Sequence, residues 1–362
     1  MNAGLIEKEL KAAKIPGCSI AVVDSSKVLS SRGFGYADLF NRVPADQDTV
    51  YHLFSGTKLF TAVAVLRLAE CGRLKLDDPV SKFVPEANAA RGITLIHLLS
   101  HRSGLKDTLK GFLSVSFPDE KPLTTSQALA KYKISPARPP GERVEYRNVN
   151  YALLGEVVSR VSDVDYRDSM ARNVLGPLGM HAGFAVPGET RARAATGYIG
   201  RWDPMRFGLW FIMPAVARRL YRRRVGGLIE LNEYRLDSAA IGGLVGSVVD
   251  FGRFLQMQLA GGGGVLSRES TLLMQTMVAM GPAGIESRLG IGLGWKFGRA
   301  GSTIFLNHEG GGAGFTSELR LYPEEGIGIA LAMNFMRAPN TMRVAHRICE
   351  SVVADFRAKE SA

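Results

Sequence analysis

The sequence predicts an α/β domain, built on an antiparallel sheet flanked by helices, that carries an inserted and mostly helical domain. Short alternating segments typical of strands lie near both ends of the chain, at 19–36 and 293–334. Helical spacing with long connections dominates the middle. Because strands from both ends complete one sheet in such a pattern, we expect residues 1–73 and 237–362 to form the α/β domain and 74–236 the helical domain.

The first part of the chain predicts a helix, a hairpin and then a buried helix. After an amphipathic N-terminal helix come two alternating segments, Ser19 to Val23 and Lys27 to Tyr36, whose separation by a short polar turn indicates a hairpin. A third strand-like segment, Thr49 to Leu53, leads to a helix from Thr57 to Cys71. Apolar residues cover most of its circumference, which predicts a central helix that ends at Gly72.

The last part of the chain predicts an antiparallel sheet followed by one more helix. Four short strand-like segments between residues 293 and 334 are punctuated by glycine and proline. An amphipathic helix is predicted from about Asn340 to Lys359.

Composition is that of an ordinary globular protein, with 46% hydrophobic and 22% charged residues among 362. The cysteines Cys18, Cys71 and Cys349 are widely spaced and odd in number, so we expect core thiols rather than disulfides or a zinc site. No basic segment followed by a long apolar run opens the sequence. We therefore expect a soluble cytoplasmic protein, or a periplasmic one if a leader precedes residue 1. The apolar run from Phe207 to Ala217 has 11 residues, short of the ~20 that a membrane-spanning helix needs.

The net charge of +11 is concentrated in one segment. Residues 201–224 contain seven arginines and one aspartate, a net +6, interleaved with Trp202, Phe207, Trp210 and Phe211. This mixture suits an anionic membrane surface or an anionic, apolar ligand better than a nucleic acid, so we expect no nucleic-acid partner. A solvated arginine-rich loop is the alternative.

Ser55 stands at a predicted junction of strand and helix, with Lys58 three residues further on. Residues i and i+3 of a helix share a face, so a helix that begins at Ser55 would bring the Lys58 amine to the serine hydroxyl. A nucleophilic serine needs such a base, and burial lowers the pKa of a lysine so that it can accept a proton near neutral pH. The pattern also allows Ser55 to be only a helix cap.

A second Ser-x-x-Lys, Ser103 to Lys106, has the same spacing. It is followed by a glycine and a polar segment rather than a long apolar helix, so the context favours Ser55. The sequence has no Gly-x-Ser-x-Gly, no His-Glu-x-x-His and no P-loop motif, which excludes the signatures of three rival enzyme classes.

Two further stretches resemble motifs of the β-lactamase-like serine hydrolases. Pro139 to Gly155 contains Tyr146-Arg147-Asn148 and resembles the Tyr-x-Asn motif. Asn307 to Pro323 resembles the third motif, where Lys-Thr-Gly or His-x-Gly lies on an edge strand beside the nucleophile. Supporting matches at Leu98 to Leu105 and Gly242 to Gln256 extend the resemblance over nearly the whole chain. The family comprises class C β-lactamases, D-alanyl-D-alanine peptidases and family VIII carboxylesterases.

The resemblance implies a β-lactamase/transpeptidase-like fold and a catalytic role for each matching residue. Ser55 would be the acylated nucleophile, Lys58 its base, and Tyr146 would pass the proton to the leaving group. The backbone N–H groups of Ser55 and Gly311 would form the oxyanion hole. Asn148 would hydrogen-bond Lys58 and the substrate.

The third motif departs from the family pattern in a way that concerns the substrate. His308, Glu309 and Gly310 stand where Lys-Thr-Gly is common, and we expect these residues to contact the substrate. A neutral imidazole and a carboxylate attract a substrate anion poorly, which shifts the prediction from anionic β-lactams to neutral carboxylic esters. Arg147, where the family often has serine, leaves room for an anionic group elsewhere in the substrate.

The sequence therefore favours a serine esterase that needs no cofactor or metal. A D-amino-acid amidase or peptidase, or a weak β-lactamase, of the same fold is the first alternative, and a non-catalytic ligand-binding protein is the second. Residues of about 198–236 are expected to be an insertion that covers the cleft, of which 201–224 would touch an anionic membrane. Oligomeric state cannot be read from these motifs.

Overall fold

The computed structural model describes residues 1–108, 111, 114–186, 188–282 and 289–360. Its strands, in chain order, are β1 (Gly17–Val23), β2 (Val28–Asp38), β3 (Val43–Pro44), β4 (Tyr51–His52), β5 (Val115–Ser116), β6 (Tyr198–Gly200), β7 (Tyr221–Val225), β8 (Leu228–Leu231), β9 (Arg235–Leu236), β10 (Val245–Gly246), β11 (Ala279–Met280), β12 (Gly290–Ile291), β13 (Lys296–Ala300), β14 (Thr303–Gly312), β15 (Phe315–Tyr322), β16 (Ile327–Met333) and β17 (Phe335–Met336).

The α-helices of the described residues are, in chain order, α1 (Ala3–Ala13), α2 (Thr57–Glu70), α3 (Leu95–Leu99), α4 (Thr125–Leu129), α5 (Asn148–Ser162), α6 (Tyr166–Met170), α7 (Pro204–Ile212), α8 (Pro214–Leu220), α9 (Ala239–Gly242), α10 (Val248–Leu259), α11 (Arg268–Met274) and α12 (Asn340–Glu360). Short 3₁₀ turns at Phe54–Gly56, Val80–Lys82, Pro85–Ala90 and Gly188–Arg193, and a π-helical turn at Ala171–Leu175, complete the helical elements.

The main sheet joins both ends of the chain. Its order is β11-β12-β13-β14-β15-β16-β1-β2-β3, and all neighbouring strands are antiparallel. The pairing of β1 with β16 places Ile20 opposite Leu331. This pairing confirms the prediction that strands from the two termini form one sheet, and the β1–β2 hairpin is also as predicted.

Apolar layers cover both faces of this sheet because side chains alternate along each strand. On β15, Leu319 and Leu321 belong to the large core that includes α2, α5 and α10. Tyr322 belongs to the second core, with residues of α1 and α12. The sheet is therefore the middle layer, and α2 lies on the side where the candidate site is built.

Helix α2 is buried from Thr57 to Leu66, as its all-round apolar pattern predicts. The chain leaves the helix at Gly72, whose φ of 68° is left-handed and suits glycine. Helix α5 packs against α2 and α9 and is likewise buried over most of its length. These contacts join the helical part of the chain to the nucleophile helix.

Residues 198–236 differ from the expected mostly helical composition. They contain β6, β7, β8 and β9 as well as α7 and α8, and β6 pairs in parallel with β17 from the C-terminal part of the chain. The reason is a hairpin signal: Gly226 and Gly227 lie between two strand-forming segments, and Gly226 has a φ of 58°. This segment thus pairs with the C-terminal part of the chain through β6 and with the helical part through β9, which pairs with β5.

Cys18 and Cys349 are buried, whereas Cys71 is exposed, so the expectation of a core thiol is wrong for Cys71. Cys71 is exposed because α2 emerges from the core over its last turn. Of the helices described, none combines the length and apolarity required to cross a membrane.

Candidate active site

Ser55 lies in the 3₁₀ turn that connects β4 to α2. The preceding residue, Phe54, has a φ of 48°, a left-handed conformation that is costly for a bulky side chain. The turn packs closely on β14, because a Cβ atom at Gly310 would lie 2.1 Å from the Leu53 carbonyl oxygen. A Cβ atom at Gly312 would lie 2.1 Å from the Phe54 ring. Glycine at both positions therefore allows β14 to approach the turn that carries Ser55.

Lys58 is fully buried in the first turn of α2. Its Nζ lies 3.1 Å from Ser55 Oγ, the contact that the spacing predicts, and 2.7 Å from the Ile241 carbonyl oxygen. Burial holds the pKa of Lys58 well below its usual range, and the positive charge of Lys296 lowers it further against the opposing charge of Asp107. A neutral Lys58 amine donates to Ile241 and is free to accept the proton of Ser55.

Tyr146 contacts the same amine through its ring. The ring centroid lies 5.1 Å from Lys58 Nζ and 4.8 Å from Lys296 Nζ, and the His101 ring packs 4.5 Å away. The Tyr146 hydroxyl is buried and lies close to the Ser55 hydroxyl. Burial raises the pKa of Tyr146, and the nearby Ser55 hydroxyl only partly opposes this rise. The phenol therefore stays protonated at neutral pH and is a proton donor.

Asn148 does not hydrogen-bond Lys58, which differs from the expectation drawn from the resemblance. Its Oδ1 is buried and has no partner among the described residues, and the Ile241 carbonyl takes its place beside the amine. The backbone N–H groups of Asn148 and Val149 donate to the Asp107 carboxylate at 2.9 and 2.8 Å. Asp107 thus caps α5, a role that the motif does not reveal because Asp107 is 41 residues away from Asn148.

Among the described residues, no strand pairs with one edge of β14 at Gly311. The β13–β14 ladder runs from Ala300 opposite Thr303 to Lys296 opposite Asn307 and extends no further along β14. The residue pair that closes a two-residue hairpin is hydrogen-bonded between the two strands. From that pair onward, successive residues of a strand direct their N–H and C=O groups alternately to one neighbouring strand and to the other. Both hairpins of β14, with closing pairs Ala300–Thr303 and Gly312–Phe315, place the Gly311 N–H on this open edge. The N–H thus points to the side that the predicted oxyanion hole requires.

His308 offers an acceptor rather than a charge. Its Nδ1 lies 2.9 Å from the Glu309 carbonyl oxygen and must donate to it, so Nε2 carries the lone pair. Burial holds the pKa of His308 well below its usual range, and Lys296 and Lys58 lower it further. Nε2 is buried without a partner among the described residues. The imidazole is therefore neutral and cannot attract a carboxylate.

Lys296 is a residue of the site that sequence reasoning missed. Its Nζ lies 2.6 Å from Glu309 Oε2, and both side chains are buried. Burial would raise the pKa of Glu309, but the charge and hydrogen bond of Lys296 outweigh it, and the pKa is lowered. The two residues are therefore a buried ion pair. The one sequence signal for this ion pair is that Lys296 lies inside an apolar strand-like segment, Leu293 to Gly298.

The second Ser-x-x-Lys has a structural role. Ser103 is buried and donates to Asn150 Oδ1 at 2.6 Å, and Asn150 Nδ2 lies 3.1 Å from His101 Nδ1. Ser103 therefore has a structural role, because it ties its own loop to α5. Lys106, the lysine of the same motif, is exposed and so gives Ser103 no buried amine.

An apolar cavity of about 320 Å³ lies beside the Ser55 turn. It borders on Phe54, which precedes Ser55, and on Gly312, which follows Gly311. The remaining wall comes mainly from α7, α8 and neighbouring strands: Val115, Ile199, Met205, Gly208, Leu209, Ile212, Val216, Leu220, Tyr221, Tyr234, Leu236 and Ala313. A second cavity of about 360 Å³ is more polar, and neither Ser55 nor Lys58 nor Tyr146 lines it.

The chain is similar to known proteins over nearly its whole length. The family model described as Beta-lactamase matches residues 2–349. The protein named flp from Staphylococcus aureus (strain COL) is 34% identical over 200 residues, which are 54% of this chain and 40% of flp. The protein described as putative penicillin-binding protein PbpX from Bacillus subtilis (strain 168) is 31% identical over 194 residues, or 53% of this chain and 47% of PbpX. The chain thus matches less than half the length of these curated relatives.

Solved structures show the same fold. The octameric penicillin-binding protein homologue from Pyrococcus abyssi aligns with a TM-score of 0.78 and 28% identity, over 97% of this chain and 78% of the other. The D-amino acid amidase from Ochrobactrum anthropi SV3, complexed with L-phenylalanine, aligns with a TM-score of 0.81 and 24% identity, over 98% of both chains. The second likeness concerns the fold alone. On the family match, which spans nearly the whole sequence, the chain belongs to the Beta-lactamase family of serine hydrolases.

Proposed function

We propose that the protein hydrolyses carboxylic esters with an apolar acyl group through an acyl-Ser55 intermediate. The observation that carries this proposal is the apolar cavity of about 320 Å³ beside the Ser55 turn. A cavity lined in this way suits a hydrocarbon chain, and a carbonyl held between Ser55 and Gly311 would place its substituent at the cavity mouth.

In the proposed reaction Lys58 acts as the base and Tyr146 as the acid. Neutral Lys58 takes the proton of Ser55 as its Oγ attacks the ester carbonyl, and the N–H groups of Ser55 and Gly311 stabilise the oxyanion. Collapse breaks the bond to the alcohol oxygen, which receives a proton from the Tyr146 phenol, and Lys58 returns a proton to Tyr146. Water then attacks the acyl-enzyme with the same groups, which releases the acid and regenerates Ser55.

The charges of the site support a neutral rather than an anionic substrate. His308 is uncharged, and the charge of Lys296 is balanced by Glu309 at 2.6 Å. Arg147 shares Glu145 with Arg138, at 3.3 and 3.4 Å, so one arginine charge there stays uncompensated. On β14 itself, a substrate carboxylate would meet a neutral imidazole and a carboxylate, whereas an ester carbonyl needs only the two N–H groups.

A panel of p-nitrophenyl esters from acetate to laurate tests the proposal. We expect kcat/KM to rise with acyl length until the cavity is filled. Gly208 lines the cavity and a Cβ atom there would lie in open space, so Gly208→Leu should move the optimum to shorter chains. Gly188→Leu, at a position with equally open surroundings outside the cavity, should leave the optimum unchanged. Equal rates for all chain lengths in both variants would contradict the proposed acyl site.

An amidase acting on D-amino-acid amides is the second candidate. Glu309 Oε1 is buried and has no hydrogen-bond partner among the described residues, so it offers an acceptor for an ammonium group. The fold likeness to the D-amino acid amidase of Ochrobactrum anthropi SV3 is compatible with this reading. Turnover of D-phenylalanine amide above that of every ester, with loss in Glu309→Gln, would establish the amidase and displace the esterase. Parallel assays with nitrocefin check a weak β-lactamase activity.

A further inference from the structure

Helix α7 carries apolar side chains on two faces but is not buried. None of its nine residues is fully buried. Met205, Leu209 and Ile212 lie on one face and line the apolar cavity. Phe207 and Phe211, four residues apart, lie on another face, and Phe211 is 88% exposed. A cluster of large apolar side chains that still meets solvent is typical of a segment that contacts another apolar phase.

The exposed aromatic residues form one surface with their neighbours. Trp202, which precedes α7, is 73% exposed and its ring stacks on Phe207 at 6.3 Å. Trp210 and Ile212 are also exposed. We call these side chains, Trp202, Met205, Phe207, Trp210, Phe211 and Ile212, the apolar surface.

Two cations without acidic partners border the apolar surface. Of the seven arginines in 201–224, Arg219 pairs with Asp119 and Glu120, and Arg222 and Arg223 pair with Glu230. Arg201 lies 4.8 Å from the Trp202 ring centroid and Arg206 lies 5.5 Å from that of Phe207, and neither arginine has an acidic partner among the described residues.

We propose that the apolar surface, with Arg201 and Arg206 beside it, docks the protein on an anionic lipid bilayer. Aromatic side chains enter the boundary between headgroups and acyl chains, while arginines bind lipid phosphates at the same depth. A second protein chain would leave these two like charges uncompensated unless its own surface were acidic, whereas an anionic bilayer compensates both. Because α7 also lines the apolar cavity, docking brings a wall of that cavity to the lipid surface.

The docking proposal goes beyond the proposed ester hydrolysis and does not depend on it. Ser55→Ala removes the nucleophile and should partition into vesicles as the unchanged protein does. Loss of esterase activity and loss of docking are therefore separate results.

Tryptophan fluorescence with phosphatidylglycerol and phosphatidylcholine vesicles tests the proposal. The chain has three tryptophans, of which Trp295 is fully buried, so Trp202 and Trp210 report on the surface. We expect a blue shift with the anionic vesicles, quenching by brominated acyl chains, and weaker binding at high salt. Phe207→Ser/Phe211→Ser keeps both reporters and should lower the partition coefficient on the order of tenfold. Arg201→Ala/Arg206→Ala should weaken binding to anionic vesicles only.

Matched controls use exposed residues elsewhere. Leu272→Ser/Met280→Ser removes two exposed apolar side chains, and Arg299→Ala/Arg343→Ala removes two exposed charges. Neither double variant should change the partition coefficient. Equal binding to both vesicle types, or unchanged binding of Phe207→Ser/Phe211→Ser, overturns the proposal. The apolar surface would be a protein interface instead if the unchanged protein does not bind vesicles and is a dimer, while Phe207→Ser/Phe211→Ser is a monomer. Analytical ultracentrifugation measures this difference.

Discussion

At the scale of single residues, the reactivity of Ser55 depends on the charges near Lys58, those of Lys296 and Glu309. Burial alone lowers the pKa of the Lys58 amine, and the positive charge of Lys296, which also contacts the Tyr146 ring, lowers it further. Glu309 compensates Lys296 in turn. The ion pair therefore tunes the base without touching the nucleophile, and its two members act on the pKa in opposite directions.

The pH dependence of kcat/KM follows from this arrangement. The base must be neutral, so activity falls as pH drops through the lowered pKa of Lys58. Lys296→Met removes a charge that lowers this pKa, so the acid limb should move to higher pH. Glu309→Gln leaves Lys296 uncompensated and should move the limb to lower pH. Shifts of the same sign in both variants would contradict the electrostatic account, and the exposed Arg299→Met serves as the control.

At the scale of elements, the site depends on how closely β14 approaches the Ser55 turn. The approach is possible because Gly310 and Gly312 have no side chains on the face that meets Leu53 and Phe54. It places the open edge of β14, with the Gly311 N–H, against the first turn of α2. The oxyanion hole is thus a property of two packed elements rather than of either one.

Substitution of Gly310 by alanine tests this packing. The new Cβ atom would lie 2.1 Å from the Leu53 carbonyl oxygen and 2.3 Å from Ser317 Oγ, so the turn must move away from β14. We expect kcat to fall on the order of a hundredfold through misplacement of the reacting groups. The free energy of unfolding should fall by about 1–3 kcal/mol through overpacking. Ester turnover measures kcat, and chemical denaturation measures the free energy of unfolding. Gly188→Ala is the control. Turnover by Gly310→Ala equal to that of the unchanged protein would contradict the packing argument.

The elements also show what the sequence could and could not predict. The contact of Ser55 with Lys58 is local, set by the three-residue spacing in one helix, and was therefore predictable. The pairing of Lys296 with Glu309 depends on the register between two strands, which no local pattern specifies. The Asp107 cap of α5 depends on a loop of the helical part that lies 41 residues before Asn148.

At the scale of the whole molecule, the site assembles from three distant parts of the chain. The turn before α2 supplies Ser55 and Lys58, the segment before α5 supplies Tyr146, and β14 supplies Gly311 and His308. The order of elements and the sheet shared by both termini were predictable from periodicity, and the motifs were recognisable from their resemblance. The hairpin within 198–236 was missed because the arginine-rich segment before its glycine turn, β7, has a weak apolar strand pattern.

The central claim is that Ser55 is the one acylated residue of this molecule. Incubation of the folded protein with a fluorophosphonate, followed by intact-mass and peptide mass spectrometry, tests it most directly. We predict a single adduct on the peptide that contains Ser55, and no adduct in Ser55→Ala, whose circular dichroism should match that of the unchanged protein. An adduct on Ser103, or no adduct on a folded protein that still hydrolyses esters, would contradict the account.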